Sequence, residues 1–143
     1  KRALPTIMDY GNHIKEGSML NTPPVFAVYV SMLTLQWLKQ QGGIDAIEKI
    51  NNEKAELLYN AIDNSSLFRA TAAKEDRSKM NACFVMNDTS LEKQFLDFAE
   101  QHGIYGIKGH RSVGGFRASI YNALPLSSVE YLIEVIREFE NNI

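Results

Sequence analysis

The chain has 143 residues, 45% of them hydrophobic and 22% charged, with a formal net charge of −2. That length can bury a sizeable core without disulfides or metals, and the composition excludes a disordered chain. The near-neutral charge gives no global attraction to nucleic acid or an anionic membrane, so any anion site must be a local cluster of basic residues.

The chain opens on Lys1-Arg2 without an initiator Met, a start compatible with a fragment of a longer protein or with processing. Thr6-Ile7-Met8-Asp9-Tyr10 reads as a short strand and Gly11 to Ser18 as a polar loop. Asn21-Thr22-Pro23-Pro24 then reads as a helix start, with Thr22 as N-cap and Pro23 at the first helical position. The helix predicted from Pro23 to Gln40 or Gln41 is apolar on nearly every side (Val25, Phe26, Val28, Tyr29, Met32, Leu33, Leu35, Trp37, Leu38). Such a helix needs cover all round, from a larger core or a partner. By itself the chain is expected to self-associate through it or to leave its first forty residues poorly packed. The longest apolar stretch, Pro23 to Met32, is too short to span a bilayer, and no membrane partner is expected. Gly42-Gly43 ends the helix and divides the chain, by expectation, into residues 1–42 and a compact α+β unit, residues 43–143.

A second helix is predicted from Ile44 to Ile62, burying Ile47, Ile50, Leu58, Ala61 and Ile62 and leaving Glu48, Lys49, Lys54 and Glu56 wet. Asn64-Ser65-Ser66 is a turn, Leu67 to Ala70 a short strand, Ala73 to Ser78 a charged connection and Met80 to Met86 a buried strand. The single cysteine, Cys83, sits in that strand and reads as a buried, inert thiol; one unpaired Cys fits a reducing, cytoplasmic compartment. Thr89 to Glu92 has capping-box spacing before a third helix closed by Gly103. Ile104 to Ile107 and Phe116 to Tyr121 read as strands, and Ser127 to Glu130 as a second capping box before a last helix. The expected fold is α+β: an open, mainly antiparallel sheet with helices on one face.

Chemistry concentrates in Lys108-Gly109-His110-Arg111-Ser112-Val113-Gly114-Gly115-Phe116-Arg117. Glycines let backbone N–H groups turn toward an anion, and an arginine fork matches phosphate or carboxylate. Alternation puts Phe116, Ala118 and Ile120 toward the core and Arg117, Ser119 and Tyr121 on the other face. The segment reads equally as an anion site or as a solvated basic turn. Asn21-Thr22 offers a helix N-terminus for a phosphate, although simple capping explains the same residues. His13 and His102 have no second ligand at metal spacing, and no metal site is assigned.

Ser18-Met19-Leu20-Asn21-Thr22-Pro23-Pro24, Trp37 to Gly43, Lys54 to Tyr59, Ser78 to Asn81, Lys108-Gly109-His110-Arg111, Gly114-Gly115 and Arg117 to Ala123 resemble, in order, the phosphoserine aminotransferase family of class V pyridoxal-phosphate enzymes. The resemblance implies the C-terminal part of a two-domain, fold-type I enzyme that works as a homodimer. Residues 1–42 would be the tail of the large cofactor domain and a linking helix, and 43–143 the small C-terminal domain. The implied reaction moves an amino group between glutamate and 3-phosphohydroxypyruvate, in serine and, in many bacteria, pyridoxine biosynthesis. By the same resemblance, Asn21 and Thr22 hold the phosphate of pyridoxal 5'-phosphate in the neighbouring subunit. His110 and Arg111 bind the substrate phosphate near the dimer interface, and Arg117 clamps the α-carboxylate. The lysine that carries the cofactor and the aspartate that pairs with its ring nitrogen would lie upstream of residue 1, so the chain alone is expected to be inactive. Val25, Ser112 and Phe116 depart from the family's usual residues without removing a ligand. Two rival readings are a free-standing anion-binding regulatory domain and a class V enzyme with an unphosphorylated substrate.

Overall fold

The computed structural model describes residues 4–111 and 113–143; Lys1, Arg2 and Ser112 lie outside the described residues. The chain divides into two compact units, one ending at Gly43 and the other spanning Ile44–Ile143.

In the first unit Thr6–Met8 is a turn of 3-10 helix, and helix α1 covers Tyr10–Lys15. This corrects the strand expected at Thr6 to Tyr10 and the loop expected after it. The cause is local: the Asp9 side chain accepts from the Gly11 N–H and caps α1, and His13 Nε2 lies 2.7 Å from the Ile7 carbonyl. Helix α2 covers Val25–Gln40 and starts two residues later than expected. Pro24, not Thr22, occupies the N-cap, with ψ of 72°, and no side chain caps the helix. A proline disfavours the α conformation in the residue before it, so Pro24 keeps Pro23 out of the helix. None of the α2 side chains is buried; Phe26 is 81% exposed and Tyr29 53%.

In the second unit helix α3 covers Gly43–Asp63, strand β1 Phe68–Ala70, strand β2 Asn81–Met86 and helix α4 Glu92–Gln101. Strand β3 covers Phe116–Ser119 and helix α5 Leu126–Asn141. The strands form one antiparallel sheet in the order β1-β2-β3. One sheet face supplies Phe68, Ala82, Phe84, Met86, Phe116 and Ala118 to a core completed by Leu58 and Ile62 of α3, Phe95 of α4 and Val129, Ile136 and Phe139 of α5. All three helices therefore lie on that face, as the sequence pattern predicted. Phe95 is the hub: its ring centroid lies 4.8 Å from Phe68, 5.0 Å from Phe116 and 5.1 Å from Phe139, each edge-on. That geometry places ring edges against ring faces and adds to plain area burial.

Several local expectations fail for identifiable reasons. Neither capping box forms: Asp88 accepts from the Ser90 N–H and opens a 3-10 turn before α4, while Pro125 precedes α5 and draws Ser127 inside it. Ile104 to Ile107 is not a strand, because Gly103 and Gly106 both take φ of +74° and break the extended run. Its end still covers the outer edge of β3, where Arg117 N donates to the Ile107 carbonyl at 2.7 Å. Cys83 is half-buried rather than enclosed, on the sheet face away from the helices.

The largest correction is Lys54, expected on the wet face and found with no exposed surface. Its ammonium donates to the carbonyls of Ile120 (3.1 Å), Tyr121 (2.8 Å) and Leu124 (3.1 Å). Three carbonyls match the three protons of an ammonium, which makes a buried charge tolerable. Burial still pushes the lysine below its ordinary range.

Glu140 ties α5 to the turn before β1: one carboxylate oxygen accepts from the hydroxyls of Ser65 and Ser66 and from the amides of Ser66 and Leu67. Burial alone would raise this carboxyl, but the bonds from Ser66, Ser65 and Leu67 together hold it below its ordinary value. A depressed carboxylate contributes stability above the unfolded pKa and loses it as pH falls through the folded value. Glu140→Gln is therefore expected to lower stability by about 1 kcal/mol at pH 7 and to shift it little at pH 3. Urea unfolding at the two pH values measures this, and an equal loss at both would show that charge is not the cause. Gly115 supplies a second test. It has φ of +60°, and a Cβ there would lie 2.5 Å from Val85 Cγ1 and 2.6 Å from the Phe84 carbonyl oxygen. Gly115→Ala is expected to cost about 2 kcal/mol or more in unfolding free energy, strain and overlap acting together.

Candidate functional site

The basic segment predicted from the sequence is a turn folded back on the edge of the sheet. Lys108 bridges Phe116, and Gly109 N donates to the Gly115 carbonyl at 2.8 Å, so the ends of the turn are pinned together. Gly109 is at the closest approach: a Cβ on it would meet the Gly114 carbonyl oxygen at 2.1 Å. Inside the turn the His110 carbonyl accepts from the N–H groups of Val113 and Gly114, both at 2.9 Å. His110 and Arg111 stand at the tip of this turn and are exposed.

Arg117 is placed differently. It sits in β3 with Cys83 of β2 as its cross-strand partner. Burial along β3 alternates, with Phe116 and Ala118 inside and Arg117 and Ser119 outside. The alternation continues past the strand end, with Ile120 buried and Tyr121 54% exposed. Arg117 is thus held by backbone on both sides, through β2 and through Ile107, while its side chain is exposed. It also borders a cleft of about 470 Å³ lined by Tyr105, Ser119, Ser127 and Tyr131 among others. The second unit therefore brings together three of the predicted residues: His110 and Arg111 on a pinned turn, and Arg117 on the strand that follows it.

Asn21 and Thr22 lie in the first unit, in the non-helical stretch before α2, and both are exposed. Thr22 does not cap α2, so its hydroxyl and the Asn21 amide are donors facing outward rather than spent on the helix. Neutral donors of this kind suit phosphate oxygens. His102 is structural: Nδ1 lies 2.8 Å from the Phe98 carbonyl, and the ring stacks on Phe98.

Two further residues, Lys54 and Asn81, bear on this site and were not singled out for it by residue chemistry. Asn81 Oδ1 accepts from Ser119 Oγ and from Tyr121 Oη, each at 3.1 Å, on the outer face that carries Arg117. The signal available in the sequence was the even-odd parity of Asn81 with Cys83 along β2. It places Asn81 on the outer face but does not reveal its partners.

Among the described residues no helix is long and apolar enough to cross a membrane. The family described as Aminotransferase class-V matches residues 5–132. Over 141 residues the chain is 58% identical to a protein named phosphoserine aminotransferase from Porphyromonas gingivalis, covering 97% of this chain and 39% of that protein. It is also 58% identical to one of the same name from Flavobacterium psychrophilum, covering 99% of this chain and 40% of the relative. A solved phosphoserine aminotransferase from Bacillus circulans subsp. alkalophilus superposes with a TM-score of 0.87 at 42% identity, over 97% of this chain and 39% of its own. One from Trichomonas vaginalis, described as PLP bound, gives 0.81 at 38% identity, over 96% and 39%. The chain thus spans 39–40% of the length of these relatives. The match over residues 5–132 establishes that the chain belongs to the class V aminotransferase family.

Proposed function

We propose that this chain is the C-terminal part of a phosphoserine aminotransferase. The whole enzyme would exchange an amino group between glutamate and 3-phosphohydroxypyruvate, giving 2-oxoglutarate and O-phosphoserine. The observation that carries this reading is a pair of exposed basic elements, Arg111 on a turn and Arg117 on a strand, six residues apart. Arg117 is fixed on a strand, and His110-Arg111 stands on a turn closed by the Gly109–Gly115 hydrogen bond. A substrate with a carboxylate at one end and a phosphate at the other matches two such elements. Arg117 would take the carboxylate as a bidentate pair, which fixes the orientation of the carbon that gains or loses nitrogen. His110 and Arg111 would take the phosphate, the Arg111 fork matching its oxygens.

Asn21 and Thr22 fit the phosphate of pyridoxal 5'-phosphate, as exposed neutral donors not used by the helix behind them. We read them as holding the cofactor of the neighbouring subunit in a homodimer. The cofactor supplies the carbonyl that carries nitrogen between substrates and an electron-withdrawing ring. The lysine that carries it would lie upstream of residue 1. Lys54 cannot serve, since its ammonium is sealed against three carbonyls. The exposed apolar side chains of α2 are what the remainder of a whole subunit and its partner would cover. The one cysteine, half-buried and free, agrees with a cytoplasmic setting. The bounds 1–42 and 43–143 remain our assignment of large-domain tail and small domain.

The test uses the full-length parent enzyme with its cofactor. Adding O-phosphoserine is expected to shift the visible absorption band of the bound cofactor as the amino group moves to it. A band that ignores O-phosphoserine but responds to alanine or cysteine would remove the substrate assignment. No band at all, from a parent protein that proves no longer than this chain, would favour an anion-binding regulatory domain. Arg111→Ala in the same enzyme is expected to lower kcat/KM on O-phosphoserine by about 100-fold, with little change for an unphosphorylated amino donor. Steady-state kinetics on both substrates measures the difference.

A further inference from the structure

Residues 119–124, directly after the strand that carries Arg117, are anchored from both sides of the sheet. On the helix side, Lys54 holds the carbonyls of Ile120, Tyr121 and Leu124, and Asn51 Nδ2 donates to Asn122 Oδ1 at 2.8 Å. On the outer face, Asn81 Oδ1 accepts the hydroxyls of Ser119 and Tyr121, and between the two sides Ile120 N donates to the Met80 carbonyl at 2.9 Å.

The helix-side anchor holds three backbone carbonyls and the side chain of Asn122, and touches none of the outward residues Arg117, Ser119 and Tyr121 through their side chains. The outer-face anchor acts on the side-chain surface shared with Arg117. Asn81 pairs with Ser119 in the β2–β3 register, and Arg117 is the next outward residue of β3, diagonal to Asn81. Diagonal neighbours in a sheet stand roughly 7–8 Å apart, within reach of a long side chain. By accepting both hydroxyls on one oxygen, Asn81 ties to β2 the two outward residues that follow Arg117 along the chain, Ser119 and Tyr121.

We infer that Asn81 is a positioning residue for Arg117: it holds Ser119 and Tyr121 so that the guanidinium has a defined direction in which to receive a carboxylate. The inference rests on the reading of Arg117 as the carboxylate-binding arginine. A bidentate pair needs both N–H groups aligned, and a misplacement of about 1 Å can cost on the order of 100-fold in rate.

The experiment is a double-mutant cycle in the full-length enzyme with its cofactor bound. Asn81→Ala is expected to raise KM for glutamate about tenfold while kcat stays within about threefold, with cofactor absorbance unchanged. The Ser119→Ala/Tyr121→Phe pair, which removes both hydroxyls and leaves Asn81 in place, is expected to give the same pattern. On an Arg117→Ala background neither change raises KM further, because each acts through the arginine. A wild-type KM in Asn81→Ala, or an equal effect with and without Arg117, overturns the inference and leaves the function standing. A wild-type KM for glutamate in Arg117→Ala itself overturns the assignment of Arg117, and the inference with it.

Discussion

A three-stranded sheet covered by helices on one face has one dry side and one open side, and every other feature of the second unit follows from that asymmetry. Along β3 the dry side takes Phe116 and Ala118, so Arg117 and Ser119 have no choice but the open side. Side chains alternate with a period of two, and slipping the strand by one residue would expose Phe116 and bury Arg117. Burying a phenylalanine is worth about 2–3 kcal/mol, and leaving an arginine without partners in that core would cost at least as much again. The register that packs Phe116 against Phe95 and Phe84 is therefore the same constraint that keeps Arg117 on the open face. One phase of the strand sets both.

That phase was readable from the sequence because alternation is a local property with a large energetic margin. Helices α3 and α5 were readable for the same reason, since buried positions recur at helical spacing, although Ile50, expected on the buried face of α3, is 37% exposed. What escaped were features decided by a single neighbour. Pro24 shifts the start of α2 by acting on Pro23, and two positive-φ glycines undo a strand that Ile104 to Ile107 would otherwise make. Capping boxes at Thr89 and Ser127 lose to Asp88 and Pro125, each just upstream and each setting the entry to its helix.

The candidate site divides along the same line. Arg117 follows from strand parity, and His110 and Arg111 follow from a concentration of basic residues between glycines. Asn21 and Thr22 read from residue chemistry as a helix start for a phosphate or as a simple cap, and only the resemblance favoured the phosphate. Lys54 was the hardest case. At its helical position a lysine is expected in water, and its carbonyl partners lie 66 to 70 residues further along the chain. No pattern within a window of sequence announces such a pairing. Only the folded turn after β3 creates the ligand set.

Three backbone oxygens converging on one small cation is an arrangement other proteins fill with potassium or ammonium from solution. In this fold the cation is part of the chain. A covalently tethered ion cannot be diluted away, exchanged for sodium or stripped by a crown ether, so the turn after β3 keeps its shape whatever salt surrounds it. The cation is also delivered by α3, so the closed turn depends on that helix being in place. An ion-binding loop has thereby become a latch operated by the packing of the core.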